Sequence, residues 1–321
     1  MILTLTPNPS IDRTVELAGP LTRGEVQRVT SVVSQGGGKG VNISRAAVTA
    51  GVASIAVLPA DRDDPFVHEL LSAGIDCRPA TPAGEIRVNI AITEPDGTTT
   101  KLNSPGATVD AAHLEALSRT LLNRAPSAAW VVLAGSLPPG APDDYYAGLV
   151  AHLRRTRAKV AVDTSEGPLS ALVDGLPGSA PDLMKPNGEE LASFTGGDPV
   201  TLESDPHATA VAARTLVDRG VGAVLATLGA HGAVLVTSEG SWHATPPPTV
   251  VVSTVGAGDS SLFGYLLGEI RGLPPAERLA LAVAYGSAAA GLPGTTIPEP
   301  GQVRPDLVVV KSLDAVGGRT P

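Results

Sequence analysis

Short runs of aliphatic and β-branched residues alternate with longer helical patterns along most of this chain. That alternation restricts its fold more than any other feature. Residues 2–6, 54–58, 130–134, 160–163, 223–227 and 233–237 read as strands, and residues 41–50, 65–72, 260–270 and 276–290 as helices. The runs at 130–134 and 160–163 are almost continuously apolar, as expected of strands covered on both faces. Strands alternating with helices predict an α/β fold, a doubly wound, mostly parallel sheet flanked by helices. At 321 residues the chain can bury a sizeable core. Aromatics make up only 3% of it, so Ala, Val, Leu and Ile must fill that core.

Two segments break the rhythm, residues 11–34 and 85–104. In the second, Pro95-Asp96-Gly97 is a turn signal between alternating runs. Arg87, Asn89 and Ala91 fall on one face there, and Val88, Ile90 and Ile92 on the other. The expectation is a small β sheet inserted as a lid, with a plain surface hairpin as the alternative. Residues 1–10, 35–84 and 105–321 then form the α/β domain, and the Gly317-Gly318 tail reads as a frayed end.

The formal net charge of -9 argues against a broad nucleic-acid or anionic-membrane surface. It leaves room for a phosphorylated small molecule, which needs only a few cations placed locally. The single cysteine, Cys77, forms no internal disulfide and reads as a buried thiol in a strand. Residues 1–10 carry no signal-peptide pattern, and no stretch reaches the ~18 apolar residues of a membrane span. A cytoplasmic protein without a membrane partner is expected.

Four motifs carry the chemistry. Ser253-Thr254-Val255-Gly256-Ala257-Gly258-Asp259-Ser260 follows a β-type run at 249–252 and opens an apolar helix. Unpaired N–H groups at such a helix start, with the helix dipole, make an anion site. An Asp beside them can take a proton from an attacking hydroxyl. Read from this pattern alone, Asp259 is a helix N-cap. Gln35-Gly36-Gly37-Gly38-Lys39-Gly40-Val41-Asn42 also opens a helix, yet fits neither the P-loop nor the dinucleotide fingerprint. Its glycines, cation and amide suit a polyhydroxylated anion, or simply a flexible turn. Lys185-Pro186-Asn187-Gly188-Glu189-Glu190 sets Asn187 and Glu190 on one helix face, able to hold Mg²⁺ through its waters or to form a capping box. Residues 227–232, with Thr227, Gly229, His231 and Gly232, join two β runs.

Together these motifs resemble the PfkB (ribokinase-like) carbohydrate kinases, nearest to the 1-phosphofructokinase and tagatose-6-phosphate kinase branch. The resemblance runs from Thr4-Leu5-Thr6-Pro7-Asn8-Pro9-Ser10-Ile11-Asp12 to about Thr296 and includes Ala134-Gly135-Ser136-Leu137-Pro138-Pro139-Gly140. It implies that Asp259 is the general base and that Gly256, Ala257 and Gly258 form the anion hole. It implies sugar-phosphate contacts at Asp12, Gly37, Gly38, Lys39, Asn42, Arg87, Asn89 and Ser136. Lys39 would face the substrate phosphate or charge on the transferring group. Lys185, Asn187, Thr227, Gly229, Gly232 and Gly258 match ATP-site positions, and Asn187 with Glu190 the pair associated with Mg²⁺. The family also implies a β lid that forms a homodimer interface, and raises a monovalent-cation site near Ser253 and Val255. Ribokinase-type members begin the late motif with Asp-Thr, whereas this chain has Ser253-Thr254, which favours the phosphofructokinase branch.

The implied reaction is phosphoryl transfer from MgATP to the C6 hydroxyl of fructose 1-phosphate, giving fructose 1,6-bisphosphate. Tagatose-6-phosphate kinase and 6-phosphofructokinase activities are the nearest rivals. A nicotinamide-dependent oxidoreductase and a non-catalytic sugar-phosphate sensor are the readings from other classes. Whether Asp163, at the end of an apolar strand, joins the metal site is left open by the sequence.

Overall fold

Each of the six apolar runs becomes a strand of one large sheet in the computed structural model, which describes residues 1–314. The Gly317-Gly318 tail lies outside the described residues. In chain order the strands are β1 (Ile2–Leu5), β2 (Ser10–Leu17), β3 (Val29–Gly37), β4 (Ser54–Pro59), β5 (Asp76–Ala80), β6 (Arg87–Thr93) and β7 (Thr99–Leu102). They continue with β8 (Trp130–Ala134), β9 (Lys159–Asp163), β10 (Leu183–Met184), β11 (Ala223–Thr227), β12 (Ala233–Thr237), β13 (Gly240–Thr245) and β14 (Val309–Ser312). The large sheet runs in the order β14-β13-β12-β11-β10-β9-β8-β1-β4-β5. From β5 to β11 neighbouring strands are parallel, and β12, β13 and β14 extend that edge antiparallel. The strand order turns back at β1, between β4 and β8, the kind of switch point at whose carboxyl ends ligands bind.

Helices cover both faces. Pro65–Ser72 starts where the Asp64 side chain accepts from the Phe66 N–H, with Pro at the first helical position. Ala257–Ile270 and Pro275–Ala290 pack against each other at close range. A Cβ at Gly264 would sit 2.6 Å from the Leu281 carbonyl oxygen, so only glycine fits. Phe263 meets Tyr285 edge-on at 5.1 Å between ring centroids, worth about 0.5–1.5 kcal/mol beyond burial. Cys77 is buried in β5. No helix among the described residues is long and apolar enough to cross a membrane.

β3, β2, β6 and β7 form a separate sheet in that order. The registers Val15↔Val32, Val15↔Ile92 and Ile11↔Val88 place these side chains, with Ile90 and Leu102, on one face. Asp12, Gln35, Arg87 and Asn89 share the other.

The β-type run at 249–252 is not a strand. Pro246, Pro247 and Pro248 precede it and have no N–H to donate to a ladder. Val250 is 85% exposed, and the N–H groups of Val252 and Ser253 both donate to the Ala290 carbonyl at the end of the last long helix. The glycine-rich turn therefore hangs from a helix end and does not continue a strand.

Candidate active site

The helix Ala257–Ile270 begins at Gly256, whose φ of 78° places it in the left-handed region that glycine tolerates. No side chain caps this end. The first N–H bonded to the N-cap carbonyl is that of Ser260, which donates to the Gly256 oxygen. The amides of Gly258 and Asp259 therefore have no acceptor inside the helix, and they carry the positive end of its dipole. Asp259 is in the first turn, not at the cap, which removes the N-cap alternative. Its Oδ2 accepts from Asn42 Nδ2 at 2.8 Å, and both residues are buried. Asn42 Oδ1 is also buried and has no partner among the described residues.

Two lysines adjoin this pair. Lys39, at the start of the helix Lys39–Thr49, donates to Asp163 Oδ1 at 2.7 Å. Lys185 Nζ is 3.2 Å from Asp163 Oδ2, and a Cβ at Gly258 would lie 3.3 Å from that same Nζ. Asp163, the last residue of β9, is wholly buried. Burial pushes the Asp259 carboxyl up to about 6, and the nearby Asp163 charge adds to this against Lys39, Asn42 and Lys185. Burial also acts upward on Asp163, but Lys185 and Lys39 outweigh it and hold that carboxyl below its ordinary value. Burial disfavours the Lys39 ammonium, yet Asp163 and Asp259 raise it above the usual lysine range. A base near 6 beside an acid whose charged form Lys185 and Lys39 favour suits proton removal during transfer of an anionic group.

Asp12 lies on the polar face of the small sheet, its Oδ1 accepting from Ser10 Oγ at 2.8 Å and Asn89 Nδ2 at 3.1 Å. A Cβ on Gly37 would overlap the Asp12 carboxylate. Gly38, with φ of 113°, precedes Lys39 as N-cap. Arg87 is half-buried and donates to the carbonyls of Ser104 at 2.9 Å and Asn8 at 3.1 Å, and more loosely to Ser136 Oγ at 3.4 Å. It has no carboxylate ion-pair partner among the described residues, so a guanidinium with only neutral partners faces this side. Lys39 and Arg87 share no partner. Asn8 and Ser104 were not singled out by sequence, because they hold Arg87 through backbone carbonyls.

A cavity of about 810 Å³ opens on the other side of the glycine turn. Asn187, Thr227, Gly229, Gly232, Ala257 and Gly258 line it. Lys185, expected among the nucleotide residues, lies behind Gly258 at the cavity's edge with its Nζ 3.2 Å from Asp163 Oδ2. Asn187 and Glu190 form a full capping box, with Glu190 N donating to Asn187 Oδ1 at 2.7 Å and Asn187 N to Glu190 Oε2 at 2.9 Å. Among the described residues no group of three His, Cys, Asp or Glu could hold a metal ion. The Asn187 amide oxygen and the Glu190 carboxylate are hard oxygen donors of the kind that hold Mg²⁺ through its waters. His231 contributes its carbonyl to His243.

The family model for pfkB family carbohydrate kinases matches residues 5–302. A 1-phosphofructokinase of Rhodobacter capsulatus is 38% identical over 98% of this chain and 99% of that protein. A 1-phosphofructokinase of Haloferax volcanii is 36% identical over 93% of this chain and 94% of that protein. The solved structure of Escherichia coli phosphofructokinase-2 in complex with substrates and products superposes with a TM-score of 0.84 at 27% identity, covering 94% of this chain and 97% of that one. The same enzyme has been solved with potassium and in a tetrameric inhibited form.

Proposed function

This chain belongs to the pfkB family of carbohydrate kinases, and from that premise we propose that it phosphorylates fructose 1-phosphate at the C6 hydroxyl. It is a phosphotransferase with an alcohol group as acceptor and ATP as donor. The relatives named as 1-phosphofructokinases over nearly the whole chain support the choice of sugar. The observation that carries the mechanism is Asp259, hydrogen-bonded to Asn42 beside the unpaired amides of its own helix.

In this reading Asp259 takes the proton of the C6 hydroxyl as that oxygen attacks the γ-phosphorus of ATP. The new O6–P bond forms while the bond to the β–γ bridging oxygen breaks, and ADP leaves with that electron pair. The amides of Gly258 and Asp259 meet charge developing on the transferring oxygens. Lys39 and Lys185 flank the same group. Arg87, with Ser136, takes the phosphate already on the sugar. Asp12, Asn89 and the free Asn42 Oδ1 read sugar hydroxyls, with Gly37 and Gly38 giving room for the ligand. ATP occupies the cavity lined by Asn187, Thr227, Gly229 and Gly232. When bound, Mg²⁺ neutralises phosphate charge, and the Glu190 carboxylate at the Asn187 cap is the protein group placed to hold it through water.

The small sheet is proposed as a lid on the α/β domain. Its polar face carries Asp12 and Asn89 toward the sugar, and Gln35 accepts from Thr295 Oγ1 at 3.3 Å, next to Gly256. Its apolar face is proposed to pair two copies, since Val32 and Leu102 remain 52% and 53% exposed. A cytoplasmic location and a monovalent cation near Ser253 and Val255 complete the reading, and potassium dependence of the rate tests the cation. The substrate is tested by comparing kcat/KM on fructose 1-phosphate, tagatose 6-phosphate and fructose 6-phosphate. Preference for either of the latter two overturns the assignment.

A further inference from the structure

Asp163 is a buried carboxylate that no step above uses. It is wholly buried and in contact with two ammoniums, Lys39 at 2.7 Å and Lys185 at 3.2 Å. Stability alone does not account for such a site. Lys185 and Asp163 are both buried, a desolvation cost that can exceed their attraction, and the two like charges around one centre repel. Its backbone is held firmly. The Asp163 carbonyl accepts from Gly135 N at 2.9 Å, and Thr164 Oγ1 donates to the Gly135 carbonyl at 3.0 Å. Glu166, three residues on, sits at φ 55°, a left-handed conformation that non-glycine residues adopt under local strain. The two lysines come from different elements, the start of the helix Lys39–Thr49 and the segment between β10 and the helix Gly188–Thr195. Among the described residues Asp163 is the one carboxylate that forms an ion pair with both.

We propose that Asp163 is a positioning residue of the transfer step, its carboxylate holding the Lys39 and Lys185 ammoniums on either side of the phosphoryl group in transit. The proposal rests on the kinase reading above. With both lysines charged and both aspartates ionised, the cluster is neutral. Once Asp259 accepts the proton it carries one net positive charge, facing the anionic group at the moment that charge is useful. Asp163 Oδ1 accepts from Lys39, while Oδ2 faces the Lys185 ammonium at 3.2 Å and accepts no hydrogen bond among the described residues, so the Mg²⁺ dependence of a variant separates a counter-ion from a metal ligand.

The test is a cycle of Asp163→Asn, Lys39→Met and the double variant on the full chain. A misplacement of about 1 Å costs on the order of 10²-fold in rate. Asp163→Asn is therefore expected to lower kcat about 100-fold, leaving both KM values and the Mg²⁺ half-saturation within about threefold. In the Lys39→Met background the same substitution should cost less than about tenfold, because much of its effect passes through Lys39. Asp163→Glu retains the charge, and if Asp163→Asn does not fold it takes its place in the cycle. The same coupling to Lys39→Met is then expected, with a smaller kcat loss. Equal losses in both backgrounds, a change confined to KM, or a raised Mg²⁺ requirement each overturn the proposal. Failure of the wild-type chain to phosphorylate any sugar phosphate overturns the kinase reading instead, before the cycle begins.

Discussion

Replacing Asn42 by leucine should move the acid limb of the pH–rate profile to higher pH. Asn42 Nδ2 donates to Asp259 Oδ2 at 2.8 Å, with the two residues 5% and 7% exposed, so water does not readily substitute for the lost donor. The bond favours the charged carboxylate and opposes the burial that pushes Asp259 up to about 6. A hydrogen bond to a charged group contributes about 1.5–3 kcal/mol. At 1.36 kcal/mol per pH unit, its loss raises the carboxyl by about 1–2 units, to about 7–8. Wild-type kcat/KM should fall about tenfold per unit below pH 6, where the base is protonated. In Asn42→Leu the fall should begin near pH 7–8, beneath a plateau itself lowered by the lost contact to the sugar. Kinetics of ADP release across pH 5 to 9, with the fold checked by circular dichroism at each end, measure both. A uniformly lowered profile with its limb still near pH 6 would refute the reasoning, for Asn42 would then act on the substrate alone.

Asp259→Asn should stabilise the protein at neutral pH. A carboxyl raised from 3.8 to about 6 by folding is a destabilising charge, fully so above pH 6 and not at all below about 4. The gain is at most about 3 kcal/mol at pH 8 and vanishes near pH 4, as urea unfolding at both values would show; a variant less stable than wild type at pH 8 contradicts the burial argument. Glu190→Ala should cost about 0.5–2 kcal/mol through the broken capping box, and should also raise the Mg²⁺ concentration needed for half-maximal rate. A stability loss with unchanged Mg²⁺ dependence would make that pair a cap and nothing more. Val32→Asp places a charge on the apolar face of the small sheet and should give a monomer by light scattering at concentrations where wild type is a dimer. An unchanged mass would put the interface elsewhere.

Much of the scaffold was legible because both faces of its strands are buried. β8 at Trp130–Ala134 and β11 and β12 at Ala223–Thr227 and Ala233–Thr237 have the bounds that their apolar runs mark. The antiparallel turn of the sheet at β12 is implied by the short link at 228–232, too brief for a parallel crossover, but the alternation of strands and helices conceals it. The run at 249–252 misled because β-branched valines look like a strand, while the three prolines before them remove the donors that one needs. At the site, Asp259 and Asn42 were recognisable as motif residues 217 positions apart, yet their hydrogen bond exists only after folding. The role of Asp163 was hidden for the same reason. A lone acid at a strand end gains its meaning from Lys39, which is 124 residues away and reached only across the sheet. The Asn187 and Glu190 spacing served two readings, and the fold realises the capping box.

The most direct test is turnover by Asp259→Asn with binding measured alongside. The account predicts that this variant binds fructose 1-phosphate and ATP with dissociation constants near those of wild type, while releasing ADP on the order of 10²–10⁴-fold more slowly. Turnover near the wild-type rate, with the variant confirmed by mass, would show that the proton of the acceptor hydroxyl leaves by another route.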